Sequence, residues 1–305
     1  MKVFVTGVSG QLGHDCVNEL TGRGHEVIGS DIQAQYAGIQ DGTPVTECPY
    51  CQLDITDEAA VFSLFETLQP DAVIHCAAWT AVDAAEAEEN REKVYAVNVK
   101  GTEHIAKACR KNHATMMYIS TDYIFDGQGS EPWEPDCDRF SPINVYGQTK
   151  LEGELAVRAN LEAYFIVRIA WVFGKNGKNF IRTMLHLGET RDTLRVVDDQ
   201  IGTPTYTLDL ARLLADMIAS DKYGIYHATN EGGYISWAEF AKAIFEAAHM
   251  NVRVIPVSSA EYGLSVAARP ANSRLDKSKL VRMGFKLLPE WRDALYRFIA
   301  SVNGD

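Results

Sequence analysis

Apolar and polar positions along the chain alternate between two spacings. The apolar run in Lys2–Thr6 predicts a buried strand, followed by the glycine-rich Gly7–Gly13 and a helical pattern with Leu12, Cys16, Val17 and Leu20 on one face. Glu26–Ser30 reads as a second short strand. Ala60, Val61, Leu64, Phe65 and Leu68 repeat at helical spacing over Asp57–Leu68, where Pro70 stops the helix. Strands over Asp71–Cys76, Met116–Ser120 and Tyr164–Ala170 then alternate with helical patterns over Glu88–Lys111 and Asn144–Ala159. Strands separated by helices of about ten or more residues imply βαβ units and a parallel sheet, so the expected fold class is α/β. Past residue 170 the rhythm loosens. Polar loops (Gly174–Asn179, Asp198–Pro204, Ala267–Arg274) there separate helices such as Thr207–Ala219 and Ser236–Ala248. Such a half usually supplies a substrate pocket over the carboxyl edge of the sheet.

Composition narrows the function classes. Of 305 residues 46% are hydrophobic and 23% charged, which excludes disorder. The net charge of −12, with no local basic patch, argues against nucleic acid as a partner. The first apolar run is too short for a secretory leader, and no stretch approaches the roughly 18 apolar residues of a membrane helix, so a cytoplasmic protein is expected. Among the six cysteines only Cys48 and Cys51 are spaced for redox chemistry or half a zinc site. No second pair completes four ligands and no strand-to-helix junction activates a thiolate, so they read as loop cysteines.

Three features carry chemistry. Gly7-Val8-Ser9-Gly10-Gln11-Leu12-Gly13 stands between the first strand and the first helix, where a tight turn and a helix N-terminus suit a pyrophosphate. Asp31 closes the second strand about 20 residues on, the position from which a carboxylate holds an adenosine ribose. It would repel a 2′-phosphate, and no Arg or Lys follows within Ile32–Gln35, so NADH is favoured over NADPH. Tyr146 and Lys150 fall at i, i+4 on one helix face, and a cation so near a phenol is expected to lower the tyrosine pKa. Thr121 ends the strand Tyr118-Ile119-Ser120-Thr121, at the edge where a cofactor would lie.

The chain resembles the extended short-chain dehydrogenase/reductases that act on nucleotide sugars, and within them the dTDP-4-dehydrorhamnose reductase family. The resemblance runs nearly end to end. It includes the glycine turn, Cys76-Ala77-Ala78-Trp79-Thr80-Ala81-Val82-Asp83, Ser120–Gly127 and Ser141–Lys150. In the second half it includes Trp171–Gly174, Asp199–Thr205 and Ala268–Leu275. It implies a Rossmann-like doubly wound parallel sheet over 1–170, with 200–225 returning to it, and a smaller mixed α/β substrate-binding domain over 171–199 and 226–305. It also implies NAD(P)H-dependent reduction of the C4 keto group of a dTDP-sugar. In that reading Tyr146 is the proton donor, Lys150 holds the nicotinamide ribose, and Thr121 binds the carbonyl oxygen. Gly7, Gly10, Gln11, Leu12, Gly13, Asp31, Asp54, Ile55, Ala77, Ala78 and Trp79 would contact the cofactor, and Thr121, Asp122, Trp171 and Arg269 the substrate, with Arg269 clamping the diphosphate. Dehydratases of the superfamily follow this threonine with an Asp-Glu pair; here Tyr123 follows Asp122, which favours simple reduction.

Two departures qualify the resemblance. Some members dimerise around a divalent cation held by three acidic side chains. The matching positions here are Asp15, Thr190 (beside Glu189) and Arg292, so no metal is expected, and the chain is expected to be a monomer or homodimer. The insertion over Ala34–Cys51 is expected to be a surface loop. Two other readings stay open: a related 4-keto-6-deoxysugar reductase or epimerase, and a non-catalytic subunit like the relatives that regulate methionine adenosyltransferase.

Overall fold

The computed structural model describes residues 1–303. Seven strands form one sheet, all parallel, in the spatial order Gly224–His227, Tyr164–Ile169, Thr115–Thr121, Ala72–His75, Lys2–Thr6, Glu26–Asp31, Tyr50–Gln52. The chain starts in the middle, runs outward to Tyr50–Gln52, and returns to build the other half from Ala72–His75. Direction therefore reverses between Lys2–Thr6 and Ala72–His75, which pair Thr6 with His75 at their carboxyl ends. Open α/β sheets bind ligands at such a switch point.

Both faces of the sheet are covered, so its strands are apolar on both sides. On one face Leu12, Cys16, Val17 and Leu20 of helix Gln11–Gly22 pack with Leu210, Leu213, Leu214 and Met217 of helix Thr207–Ile218. On the other, Val61, Phe65, Ile105, Cys109 and Val157 cover Phe4, Val73, Met116 and Ile166. A separate core of Phe173, Ile181, Phe240, Ile244, Trp291 and Phe298 holds the C-terminal helices. That part carries short strand pairs: Thr193–Val197 with Arg253–Val257, parallel, and Ile201–Gly202 with Ile235–Ser236, antiparallel. The segment returning to the sheet extends to His227, which pairs with Arg168, so residues 226 and 227 belong to the sheet.

Two elements differ from the sequence expectation. The helical pattern over Glu88–Lys111 is three pieces, Glu88–Tyr95, a π-helical turn Ala96–Gly101, and Thr102–Asn112. Apolar periodicity does not reveal the extra residue of a π-turn, because the apolar stripe resumes past it. The insertion over Ala34–Cys51 is more than a surface loop. Val45 is buried in the same core as helix Gln11–Gly22, and Tyr50–Gln52 forms the edge strand, pairing Cys51 with Ser30. Three residues with a polar end are too short to show an alternating pattern. Among the described residues no helix is long and apolar enough to cross a membrane.

Candidate active site

A cleft of about 850 Å³ opens at the switch point, lined by Thr6, Ser30 and Cys76 at the sheet's carboxyl edge. The glycine turn forms one wall. Gly7 has φ +71° and sits so close to the next loop that a Cβ would stand 2.7 Å from the Ala77 nitrogen; at Gly13 a Cβ would strike the Gly7 carbonyl. Only glycine fits either position. Helix Gln11–Gly22 begins here with no side chain capping it, so the orphan N–H groups of its first turn face the cleft. Such a cradle fits a dinucleotide pyrophosphate.

Every residue expected to contact cofactor lines this cleft: Gly7, Gly10, Gln11, Leu12, Gly13, Asp31, Asp54, Ile55, Ala77, Ala78, Trp79, Tyr146 and Lys150. Thr121, Asp122 and Trp171 line it too. The Asp31 carboxylate is fixed by backbone donors, Oδ2 accepting from Ser9 N (2.9 Å) and Oδ1 from Ile32 N (2.8 Å).

Helix Val145–Asn160 places Tyr146 and Lys150 because Asn144 caps it, accepting from Gly147 N at 2.7 Å. Lys150 is buried; its Nζ donates to the Ile119 carbonyl (2.7 Å) and lies 4.0 Å from the centre of the Tyr118 ring. Burial pushes the ammonium down to about 7, with Glu154 opposing. The expected lowering of the Tyr146 pKa is not what the geometry gives. Burial pushes this phenol up, with the Thr121 hydroxyl pulling the other way and the Asp122 charge adding to the rise, while the Lys150 ammonium donates to the strand carbonyl. Tyr146 is therefore a protonated acid at neutral pH.

The Thr121 hydroxyl donates to Asp122 Oδ1 (3.0 Å) and accepts from Tyr123 N (3.2 Å). Asp122 is 1% exposed and pushed up to about 6 by burial, with the Ser273 and Thr121 hydroxyls opposing. Trp171 has φ +51°, a left-handed conformation costing on the order of 1–2 kcal/mol outside glycine. Its indole stacks on Trp237 (ring centres 3.7 Å apart). Backbone strain of this kind clusters at ligand sites, where the surrounding structure holds it in place.

Arg269 is the one expected contact that does not line the cleft. Both of its terminal nitrogens are held by Asp83, and it borders a neighbouring cavity of about 190 Å³. Of the three positions matched to a metal, Asp15 is buried and accepts from the Thr207 hydroxyl, Thr190 is exposed, and Arg292 lies over the Trp291 ring. Among the described residues no group of three or more His, Cys, Asp or Glu could hold a metal ion.

The structure adds residues that sequence reading missed. Asn98, in the π-turn, accepts from Trp79 N (2.8 Å) and donates to Trp79 O (3.2 Å) and Thr149 Oγ1 (3.1 Å), tying the cofactor-side loop to the helix of Tyr146. Ser120, buried with an unpartnered hydroxyl, and Asn176 and Lys178, from the loop over 174–179, also line the cleft. Only Ser120 carried a signal, its adjacency to Thr121.

The profile of a family described as RmlD substrate binding domain matches residues 1–303. A dTDP-4-dehydrorhamnose reductase from Streptomyces griseus is 41% identical, the match covering 99% of this chain and 94% of that one. The crystal structure of a dTDP-4-dehydrorhamnose reductase from Clostridium acetobutylicum superposes with a TM-score of 0.89 at 39% identity, covering 99% and 100% of the two chains. One from Bacillus anthracis, in complex with NADP, gives 0.88 at 38% identity, covering 98% and 99%.

Proposed function

The chain belongs to the RmlD substrate binding domain family, and on that premise we propose its reaction and the side chains that perform it. It is an NAD(P)-dependent oxidoreductase that reduces the C4 keto group of dTDP-4-dehydro-L-rhamnose to give dTDP-L-rhamnose. The observation that carries the residue assignment is the convergence of Thr121, from a strand end, and of Tyr146 and Lys150, from one helix, on the cleft that also holds the uncapped glycine turn.

When bound, the reduced nicotinamide supplies the hydride that C4 receives. The first-turn amides of Gln11–Gly22 hold the pyrophosphate, Asp31 accepts from the adenosine ribose hydroxyls, and the Lys150 ammonium donates to the nicotinamide ribose. Tyr146, kept protonated by burial, gives its proton to O4 as charge develops there, a contribution of about 10²–10⁴-fold. A turn of the Thr121 hydroxyl aims it at the same oxygen, where a positioned donor in a water-poor site stabilises the alkoxide. The Asp122 carboxylate accepts from a sugar hydroxyl, the Trp171 indole packs on the sugar, and Arg269 binds the diphosphate.

The test is to supply the purified protein with dTDP-4-dehydro-L-rhamnose, made in situ, and follow NADH and NADPH oxidation with NMR of the product. Rapid oxidation giving dTDP-L-rhamnose is expected. A different product epimer would reassign the sugar, and no oxidation by protein that binds coenzyme would overturn the reading.

A further inference from the structure

One carboxylate fastens the C-terminal part of the chain to the cleft's rim. Asp83 lies in the short helix Val82–Ala85, immediately after the loop that carries Ala77, Ala78 and Trp79. Its Oδ1 accepts from Val266 N (3.1 Å), Ala267 N (3.0 Å) and Arg269 Nη1 (3.1 Å), and its Oδ2 from Arg269 Nη2 (2.6 Å). The residue between, Ala268, accepts through its carbonyl from Asn144 Nδ2 at 2.8 Å, and Asn144 caps the helix of Tyr146 and Lys150. Residues 266–269 are thus strung between the cofactor-side loop and the cap of the catalytic helix. Apolar burial does little to hold the approach to this segment, since Leu264 and Val266 are 76% and 74% exposed. Polar contacts to Asp83 and Asn144 fix it.

The same contacts orient a guanidinium. Of the five N–H groups of Arg269, Asp83 takes one from each terminal nitrogen and the Ala267 carbonyl (3.4 Å) takes the other from Nη1. Nε and the second N–H of Nη2 have no carboxylate or backbone acceptor, and the Tyr123 hydroxyl stands within bonding reach of the guanidinium. An unrestrained arginine must give up its rotamer freedom on meeting a ligand; one already gripped by a carboxylate does not. Resting on the assignment of Arg269 to the diphosphate, we propose that Asp83 is a positioning residue for the nucleotide sugar, fixing the Arg269 guanidinium so that the edge it leaves unheld meets the diphosphate in place of the Tyr123 hydroxyl.

The experiment measures dTDP binding by calorimetry and steady-state kinetics on Asp83→Asn, Asp83→Glu and Arg269→Gln. Asp83→Asn is expected to weaken dTDP and raise the KM for the keto sugar by about ten- to a hundredfold. Its kcat should fall by less, and its NADH affinity, which also reports that it is folded, should match the wild type. Asp83→Glu, which keeps the charge, should recover part of the loss. Asp83→Asn binding dTDP as well as or better than the wild type would overturn the proposal, the better case making Asp83 a competitor for Arg269. Should Asp83→Asn not fold, Asp83→Glu decides by the same reading: weakened dTDP binding relative to the wild type supports the positioning role, and unchanged binding overturns it. Undiminished binding in Arg269→Gln would instead remove the diphosphate assignment on which the proposal stands.

Discussion

Replacing Asp31 by asparagine isolates the charge expected to choose the coenzyme. The carboxylate is held by the Ser9 and Ile32 amides, so it cannot swing away from a ligand on this wall, and no Arg or Lys lies within Ile32–Gln35 to offset it. A coenzyme whose adenosine ribose meets Asp31 would bring a 2′-phosphate within ~7 Å of the carboxylate. Taking about −1.5 charges on the phosphate and an effective dielectric between about 20 and 80, the repulsion is about 1–4 kcal/mol. Asparagine keeps the shape and one acceptor oxygen but removes the charge. It also weakens the grip on the Ser9 and Ile32 amides, which handicaps both coenzymes alike. The ratio of kcat/KM for NADH to that for NADPH cancels this shared loss. Initial rates with saturating keto sugar should show the ratio falling by about 10- to 100-fold in Asp31→Asn, with NADPH use improving in relative terms. A ratio within about threefold of the wild type would refute the electrostatic argument and place discrimination elsewhere.

Other expectations concern the helix that carries the phenol. Tyr146→Phe should lower kcat by about 10²–10⁴-fold while NADH titration still shows binding; near-normal turnover would take Tyr146 out of the proton transfer. Burial puts Lys150 at about 7, and the ammonium is the form that donates to a ribose, so kcat/KM for NADH should fall as pH rises through about 7. That limb should be missing in Lys150→Met. The effect of the same group on stability has the opposite sign. Between about 7 and 10.5 the unfolded chain holds a proton that the folded one lacks, so Lys150 makes stability rise with pH there. One turn further along, Glu154 and Arg168 form a pair with exposures of 1% and 0% and contacts of 2.9 and 2.8 Å. Glu154→Ala strands the guanidinium without its partner and should cost about 3–5 kcal/mol, lowering Tm by roughly 6–15 °C. Adding Arg168→Leu should restore much of it, and a single variant as stable as the wild type would contradict the estimate.

What the sequence determined by itself is local. The glycine turn was legible because it needs three glycines at fixed spacing between a strand and a helix. Tyr146 and Lys150 were legible because one helical turn brings them together whatever surrounds them. Asp31 and Thr121 were legible because each ends a strand, and parallel strands present their ends to one edge. The alternation of strand and helix patterns was enough for the α/β class. Only the tertiary structure decided the features that depend on groups far apart in the chain. Asp83 and Arg269 are separated by 186 residues, and nothing local to either announces the pair. Asn98 owes its role to a π-turn that apolar spacing hides, and to partners at Trp79 and Thr149. The edge strand Tyr50–Gln52 is too short to pattern, and exists because Glu26–Asp31 offers it an open edge. The titration of Tyr146 shows the reason most directly. Sequence spacing set a lysine one turn away, but burial and the nearby Asp122 charge are properties of packing, and they push the phenol in the other direction while the ammonium donates to the Ile119 carbonyl.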